Sequence, residues 1–409
     1  MTLYEELKWR GLLQDVSSPE LEEKLNNGGM KFYIGTDPTA DSLHIGHYSS
    51  FLITKRLAQA GHHPYILIGG ATALVGDPRG TTERDLADKE VVLSNFEKLK
   101  TQIQKVFPYP VVNNYDWFKE INVIEFLRDC GKHINVGYML GKDLVRRQME
   151  NSGISYAEFS YMLIQGYDFK YLHETLGIDL QVSGSDQWGN ATTGIELIRK
   201  TTGEEVYVFT MPLVTDSNGK KFGKSEGNAI WLDREKTSPY ELYQFLFNSA
   251  DADVINYIKR LTFLTKEEIE EIDAKHQEAP HLRLAQRTLA REVVRDLHGE
   301  QAVEEAEHIS ALLFSGDIKA IPVKDLKVCF KNVPSFDIDA GKLIDVLTAQ
   351  TGICSSKREA NEMLSSNAIY VNGELVTDGN FVIDNNCAID NTIIIIRKGK
   401  KKYFVCNLK

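Results

Sequence analysis

The sequence predicts an α/β protein: a parallel sheet wrapped by helices, then an α-helical region, then a small α+β domain. Three observations carry that prediction. Residues 30–34 are a short apolar run that suits a buried strand; turn chemistry follows from 35 to 42, then Tyr48, Phe51, Leu52, Ile53 and Leu57 at helical spacing. Further strand signals open at Tyr65, at 108–112, at 180–182 and at 211–215, separated by helical stretches, which is the alternation of a Rossmann-like parallel sheet. A chain of 409 residues also exceeds one compact core, and two or three domains are expected.

In chain order, residues 1–25 read as two helical pieces, the second opened by Ser18-Pro19. The apolar run from Tyr65 ends in glycines, with Thr72 and Asp77 at the carboxyl end, where parallel sheets bind ligands. There is no Gly-x-Gly-x-x-Gly, so a dinucleotide site lacks support. Residues 81–104 are helical and charged; 108–112 form a strand followed by Asn113-Asn-Tyr-Asp-Trp117. The helical stretch 121–161 reads as an insertion between two halves of the sheet, open to a dimer contact or to internal packing. Tyr161, Gln165 and Asp168 stand at i, i+4 and i+7 on one helix face among Met162, Leu163, Ile164 and Phe169, the pattern of a small-molecule pocket.

Asp186 and Gln187 follow the strand 180–182; an aspartate there takes a ribose or caps the next helix. Arg199 and Lys200 close that helix, suiting its negative end or RNA phosphate. After the strand 211–215 comes a glycine- and lysine-rich loop, Asp216-Ser-Asn-Gly-Lys-Lys-Phe-Gly-Lys-Ser-Glu-Gly-Asn228. Residues 238–315 are helical, and 316–340 lack periodicity and are expected as a linker. A helix from Gly341, a second opened by Ser356-Lys-Arg-Glu359 and a hairpin turning at Asn372-Gly373 make up the last part.

Charge and cysteine usage bound the function. The net charge of −11 repels polynucleotides, so any RNA contact needs a local basic patch. The tail supplies one: after Asp390 no acidic residue occurs, whereas Arg397, Lys398, Lys400, Lys401, Lys402 and Lys409 do. No apolar run reaches membrane-span length, and the charged N-terminal segment is unlike a signal peptide. Five scattered cysteines without a Cys-x-x-Cys pair point to reduced thiols in a cytoplasm and to no protein metal site.

The chemistry concentrates in two motifs. His44-Ile-Gly-His47 opens a helix, whose free N–H groups and positive dipole end suit a phosphate. Lys220-Lys-Phe-Gly-Lys-Ser225 brings lysines on a loop. In this order the pair resembles the nucleotide-binding signature of class I aminoacyl-tRNA synthetases, and the second motif resembles the tyrosyl-tRNA synthetase family, where it reads Lys-Phe-Gly-Lys-Ser/Thr. The likeness covers nearly the whole chain, and the basic end resembles a small RNA-binding domain first known from a ribosomal protein.

That resemblance implies domains at 1–232 (catalytic, with the insertion at about 115–160), 233–320 (helical), 321–340 (linker) and 341–409 (RNA-binding). It implies tyrosine–tRNA ligation in a cytoplasmic homodimer, with L-tyrosine, ATP, Mg²⁺ and tRNA(Tyr) as partners and no membrane. Tyr33 and Asp168 match the phenol grip; Tyr161, Gln165 and Asp77 match the α-ammonium site, with Gln187 nearby. Gly35, Asp37, Gly46, His44, His47, Asp186, Lys221, Lys224 and Ser225 match the ATP site, Thr39 and His44 lying near the departing pyrophosphate. Relatives carry a basic residue where this chain has Thr81, so Arg79 or Arg84 would have to replace it. The rivals are the tryptophan enzyme of the same fold, a small nucleotidyltransferase lacking the lysine loop and basic tail, and a non-catalytic RNA-binding descendant.

Overall fold

The structure is a computed structural model describing residues 1–78, 88–225, 228–331, 333–399 and 402–409, with the backbone alone for Lys224, Ser225, Asn228, Phe314 and Lys324. Thr81, Arg79 and Arg84 lie outside the described residues. Two compact units emerge, one from Met1–Thr237 with Asn248–Val293, the other from Ser238–Phe247 with Val294–Lys409. The expected helical domain is thus shared between the two units.

The first unit is built on strands β1 (Lys31–Thr36), β2 (His63–Ile68), β3 (Val111–Asn113), β4 (Leu180–Gly184) and β5 (Tyr207–Met211), all parallel in the order β3-β2-β1-β4-β5. Phe32, Tyr33 and Ile34 of β1 and every residue of β5 are buried, as expected of strands covered on both faces. The order reverses between β1 and β4, so a crevice opens at their carboxyl ends. The strand expected at 211–215 lies earlier: Pro212 has no N–H for the ladder, and the run Tyr207–Met211 pairs instead. The helix Tyr156–Leu176 packs closely on Trp188–Thr201, and a Cβ on Gly166 would stand 3.3 Å from the Gly194 nitrogen. Ser18 and Pro19 form a turn ahead of the helix Leu21–Asn27 rather than its cap, since Leu21 N–H bonds to the Ser18 carbonyl.

A short hairpin, β6 (Lys224–Ser225) with β7 (Asn228–Ala229), carries the lysine motif. In the second unit β8 (Ser335–Ile338), β10 (Ile369–Val371), β11 (Glu374–Leu375), β13 (Ile393–Lys398) and β14 (Lys402–Leu408) form a mixed sheet ordered β11-β10-β13-β14-β8; β9 (Gly341–Lys342) pairs with β12 (Val382–Ile383). The stretch expected as a linker therefore holds a helix, Val323–Cys329, and the edge strand β8, parallel to β14. Ile394 and Ile396 face one apolar cluster with Leu343, Leu347 and Leu364, while Ile393 and Ile395 face another with Leu326 and Phe330. A strand covered on both faces needs no polar alternation, which explains its four isoleucines. The Asn372-Gly373 hairpin forms as expected, both residues at positive φ.

Candidate functional site

The carboxyl ends of β1, β2 and β4 wall a cavity of about 340 Å³, lined by Tyr33, Asp37, Asp77, Tyr161, Gln165 and Asp168 among others. Its deepest part is set by pairing: Tyr33 and Gln181 are partners across β1 and β4, and both side chains are buried. Tyr33 Oη, Gln181 Oε1 and Ser183 Oγ have no protein hydrogen-bond partner, although all three residues line the cavity. Buried polar groups without partners cost roughly 1–3 kcal/mol each, so this end favours a ligand that satisfies them.

Asp168 is held from behind. Asn114 Nδ2 donates to its Oδ2 and Trp117 Nε1 to its Oδ1, each at 3.0 Å. The Asn114 amide is oriented by its own Oδ1, which accepts from the Ala71 N–H at 2.7 Å, and the indole stacks on Tyr171 with centroids 4.5 Å apart. Burial pushes the Asp168 carboxyl well above the usual carboxylate range, against those two donors. Burial, with Asp168 adding to it, likewise pushes the Tyr33 phenol well up.

Nearer the mouth the lining turns anionic. Asp37 accepts from Thr72 Oγ1 at 2.6 Å and from Tyr161 Oη at 3.2 Å; Asp77 accepts from Gln187 Nε2 at 2.7 Å and from Asn190 Nδ2 at 3.0 Å. Burial and then Asp37, Asp77 and Asp168 raise the Tyr161 phenol. The carboxylates of Asp37 and Asp77 on this part of the lining favour a cation there.

A second cavity of about 340 Å³ adjoins, lined by His44, Gly46, Met211, Leu213, Lys221 and Phe222 among others. His47, Ser50, Gly184 and Asp186 line both, so the two form one cleft. Gly35 and Thr39 belong to the first cavity, Thr39 exposed at its rim. His44 is the N-cap of the helix Ile45–Gln59 and His47 its third residue. They cap reciprocally: Gly46 N–H donates to His44 Nδ1 at 3.0 Å, and His44 N–H to His47 Nδ1 at 3.2 Å. A neutral ring accepting at Nδ1 carries its proton on Nε2. Burial, then His44, hold His47 down to about 3, so it stays neutral near pH 7. A Cβ at Gly46 would stand 2.8 Å from His44 Cε1, so the missing side chain makes room for the neighbouring imidazole.

The two motifs meet through the backbone. Ile45 N–H donates to the Ile230 carbonyl at 2.8 Å, and Ile230 N–H to the Gly223 carbonyl at 3.2 Å. Gly223 has φ +82°, and a Cβ there would stand 2.2 Å from Ile45 Cγ2. Lys221 reaches the second cavity, while the side chains of Lys224 and Ser225 lie outside the described residues. Sequence reasoning missed Asn114, Trp117, Gln181 and Ser183. The polar string after the 108–112 strand contains the first two but carries no sign of their distant partner Asp168; nothing distinguished Gln181 from core.

Residues 25–315 match the family model described as tRNA synthetases class I (W and Y), and residues 325–406 match that of the tyrosine–tRNA ligase SYY-like C-terminal domain. The chain is 49% identical to a tyrosine–tRNA ligase of Streptococcus agalactiae, covering 100% of both chains. It is 63% identical over 299 residues to a tyrosine–tRNA ligase 2 of Streptococcus thermophilus, covering 73% of this chain and 98% of that one. Among solved structures it resembles a C-terminally truncated mitochondrial tyrosyl-tRNA synthetase of Aspergillus nidulans, with TM-score 0.70, 32% identity, and 76% and 94% of the two chains covered.

Proposed function

The chain belongs to the tyrosine–tRNA ligases of the class I synthetases, and from that premise we propose how its cleft divides the work. The enzyme joins L-tyrosine to tRNA(Tyr) at the expense of ATP. The tyrosine carboxylate attacks the α-phosphorus, the bond to the β-phosphate bridge breaks, and pyrophosphate leaves with its electron pair. A terminal ribose hydroxyl of the tRNA then attacks the acyl carbon, and AMP leaves. Neither step needs an enzyme nucleophile; positioning and charge stabilisation suffice.

In this reading the deep cavity takes the amino acid. Tyr33 and Asp168 grip its phenol, and Asp77, Tyr161 and Gln165 hold its ammonium, with Gln187 beside them. The outer cavity takes ATP, which arrives as its Mg²⁺ complex, the ion carried on the phosphates. Asp186 meets the ribose, and Gly35 and Asp37 border the nucleotide. Gly46 lets the backbone run close beneath the His44 ring. His44 and His47 donate through Nε2 to phosphate oxygens. Thr39 stands near the departing pyrophosphate; Lys221, Lys224 and Ser225 close on it from the hairpin. The observation that carries the reading is the wall shared by the two cavities, His47 and Asp186, which brings an acid-lined hydroxyl pocket against an imidazole-lined one. ATP–pyrophosphate exchange assayed with each standard amino acid tests it: tyrosine alone is expected to support exchange, and exchange with tryptophan or phenylalanine at a comparable rate overturns it.

Two partner assignments belong to the same proposal. Val123, Ile124, Leu127, Val136 and Leu140 are exposed within the 121–161 insertion, which supports a homodimer through that face. Ile124→Asp is expected to yield monomers by sedimentation. The tail supports RNA binding with fewer cations than its composition suggests, since Lys398 pairs with Glu359 at 2.7 Å and Arg397 stacks on Tyr370. Reversing the exposed Lys402 and Lys409 is expected to weaken tRNA charging and leave exchange unchanged. The five free thiols fit a reducing cytoplasm.

A further inference from the structure

The lysine hairpin does not stand alone on the sheet; its root rests on the helix Asp251–Leu261. The root is a tight antiparallel turn. Phe222 N–H bonds to the Val214 carbonyl, Thr215 bridges Lys221, and the Asp216 carboxylate accepts from the N–H groups of Asn218 and Lys220. Against it lies Tyr257, which is 5% exposed. Its ring packs on Phe222 with centroids 4.7 Å apart, and its Oη reaches the Thr215 carbonyl at 3.5 Å. One turn earlier on the helix, Asp253 accepts from Ser217 Oγ at 3.4 Å.

Phe222 is the pivot of this arrangement. It lines the outer cavity, and its neighbours in the chain are Lys221, in the same cavity, and Gly223, pressed against Ile45 beside His44. A ring fixed on one side by Tyr257 fixes on its other side the point from which Lys221 departs. An aromatic pair of this kind stabilises beyond the area it buries, which biases a short hairpin between arrangements.

We propose that Tyr257 is a positioning residue for the nucleotide step: it holds Phe222 so that Lys221 is aimed at the phosphates, without touching substrate itself. The inference rests on the reading of the outer cavity as the ATP site. Its consequence is selective. Tyrosine binding, which uses the deep cavity, is untouched by Tyr257, while the rate of adenylate formation depends on it. The dependence also runs through Lys221, so it vanishes once that lysine is gone.

A double-mutant cycle reads this out. Tyr257→Leu is expected to lower kcat for tyrosine-dependent exchange about tenfold, with KM for tyrosine and the midpoint of tyrosine-induced fluorescence change within about twofold. On the Lys221→Ala background the same change is expected to cost less than about twofold. Tyr257→Phe keeps the ring pair and is expected to retain kcat within about threefold of the unsubstituted enzyme. An equal loss on both backgrounds, an unchanged kcat for Tyr257→Leu, or a KM for tyrosine that rises in step with the loss overturns the proposal. Should Tyr257→Leu fail to fold, Tyr257→Met, which fills much of the same volume without an aromatic ring, takes its place in the cycle, and its loss of kcat must again appear only where Lys221 is present. Failure of the unsubstituted enzyme to catalyse exchange would count against the reading of the cleft and is separate from any outcome of the cycle.

Discussion

The two ends of the cleft are built on different principles. The deep end is assembled from side chains that arrive on separate elements and lock one another: Asn114 and Trp117 on Asp168, Thr72 and Tyr161 on Asp37, Gln187 and Asn190 on Asp77. The outer end is assembled from backbone: a helix cap made of two imidazoles and a hairpin tied to it by main-chain bonds. Buried groups with fixed partners discriminate between ligands, because a wrong ligand leaves them unpaired. Backbone-anchored donors and lysines select little but stabilise charge as it develops on oxygen. The comparison therefore assigns specificity to one end and rate to the other.

The sharpest way to break it is Asp168→Ala. The substitution removes the acceptor that Asn114 and Trp117 hold, and leaves those two donors buried without it. Tyrosine activation is expected to fall by about 10³-fold or more, with far-ultraviolet circular dichroism unchanged. Near-normal pyrophosphate exchange would dissolve the distinction between the ends. Rejection of phenylalanine by tyrosyl-tRNA synthetases is the standing example of a site that reads a hydroxyl, so the size of the expected effect follows that known behaviour and is not calculated from this cleft.

Lys221→Ala tests the other half. Loss of one cation from the proposed phosphate site is expected to slow adenylate formation by about 10²-fold, while tyrosine affinity measured by equilibrium dialysis changes less than about twofold. A pure loss of affinity, with kcat intact, would place Lys221 in ground-state binding and blur the division.

The same contrast explains what is legible in the sequence. Tyr161, Gln165 and Asp168 share a helix face, and helical spacing is visible in one dimension. The His44 and Lys220 motifs are local strings, and each is readable as a string. Asn114 and Trp117 are not, because their contact with Asp168 spans 54 and 51 residues and no local pattern records it. Gln181 looks like core because it is core by burial, and only its unpartnered oxygen beside the cavity marks it. The parallel sheet follows from alternation, whereas β8 is hidden in a stretch without periodicity: four residues on a sheet edge carry too little pattern to separate from coil. The reciprocal cap is half legible. Capping and phosphate binding look like alternatives for the two histidines in one dimension, yet Nδ1 serves the cap and leaves Nε2 for a ligand.

Gly46→Ala probes that double use with a smaller change. The added methyl meets the His44 ring, which must rotate off its cap. An exposed Gly→Ala in a helix would gain stability by roughly 0.5–1 kcal/mol, so a lower thermal midpoint together with about a tenfold loss of kcat marks the ring as both cap and catalyst. A more stable, fully active variant would mean that His44 is held by other contacts.

The gentlest test is pH. His47 lies at about 3 in the folded protein, mainly through burial and then through His44, against an ordinary value of 6.5. The folded state therefore binds fewer protons than the unfolded chain between those values, and stability rises with pH across that window. Its contribution is fully present above about 6.5 and is lost as pH falls towards 3. The ring is half-buried, so solvent moderates the slope. His47→Asn offers an oxygen to the His44 N–H but cannot titrate, and the stability of that variant, measured by urea denaturation between pH 6.5 and 4, is expected to fall less steeply than that of the unsubstituted protein. Equal slopes would show that His47 takes up a proton as readily in the folded state as in the unfolded one, and the neutral donor assigned to the outer end of the cleft would have to be sought at His44.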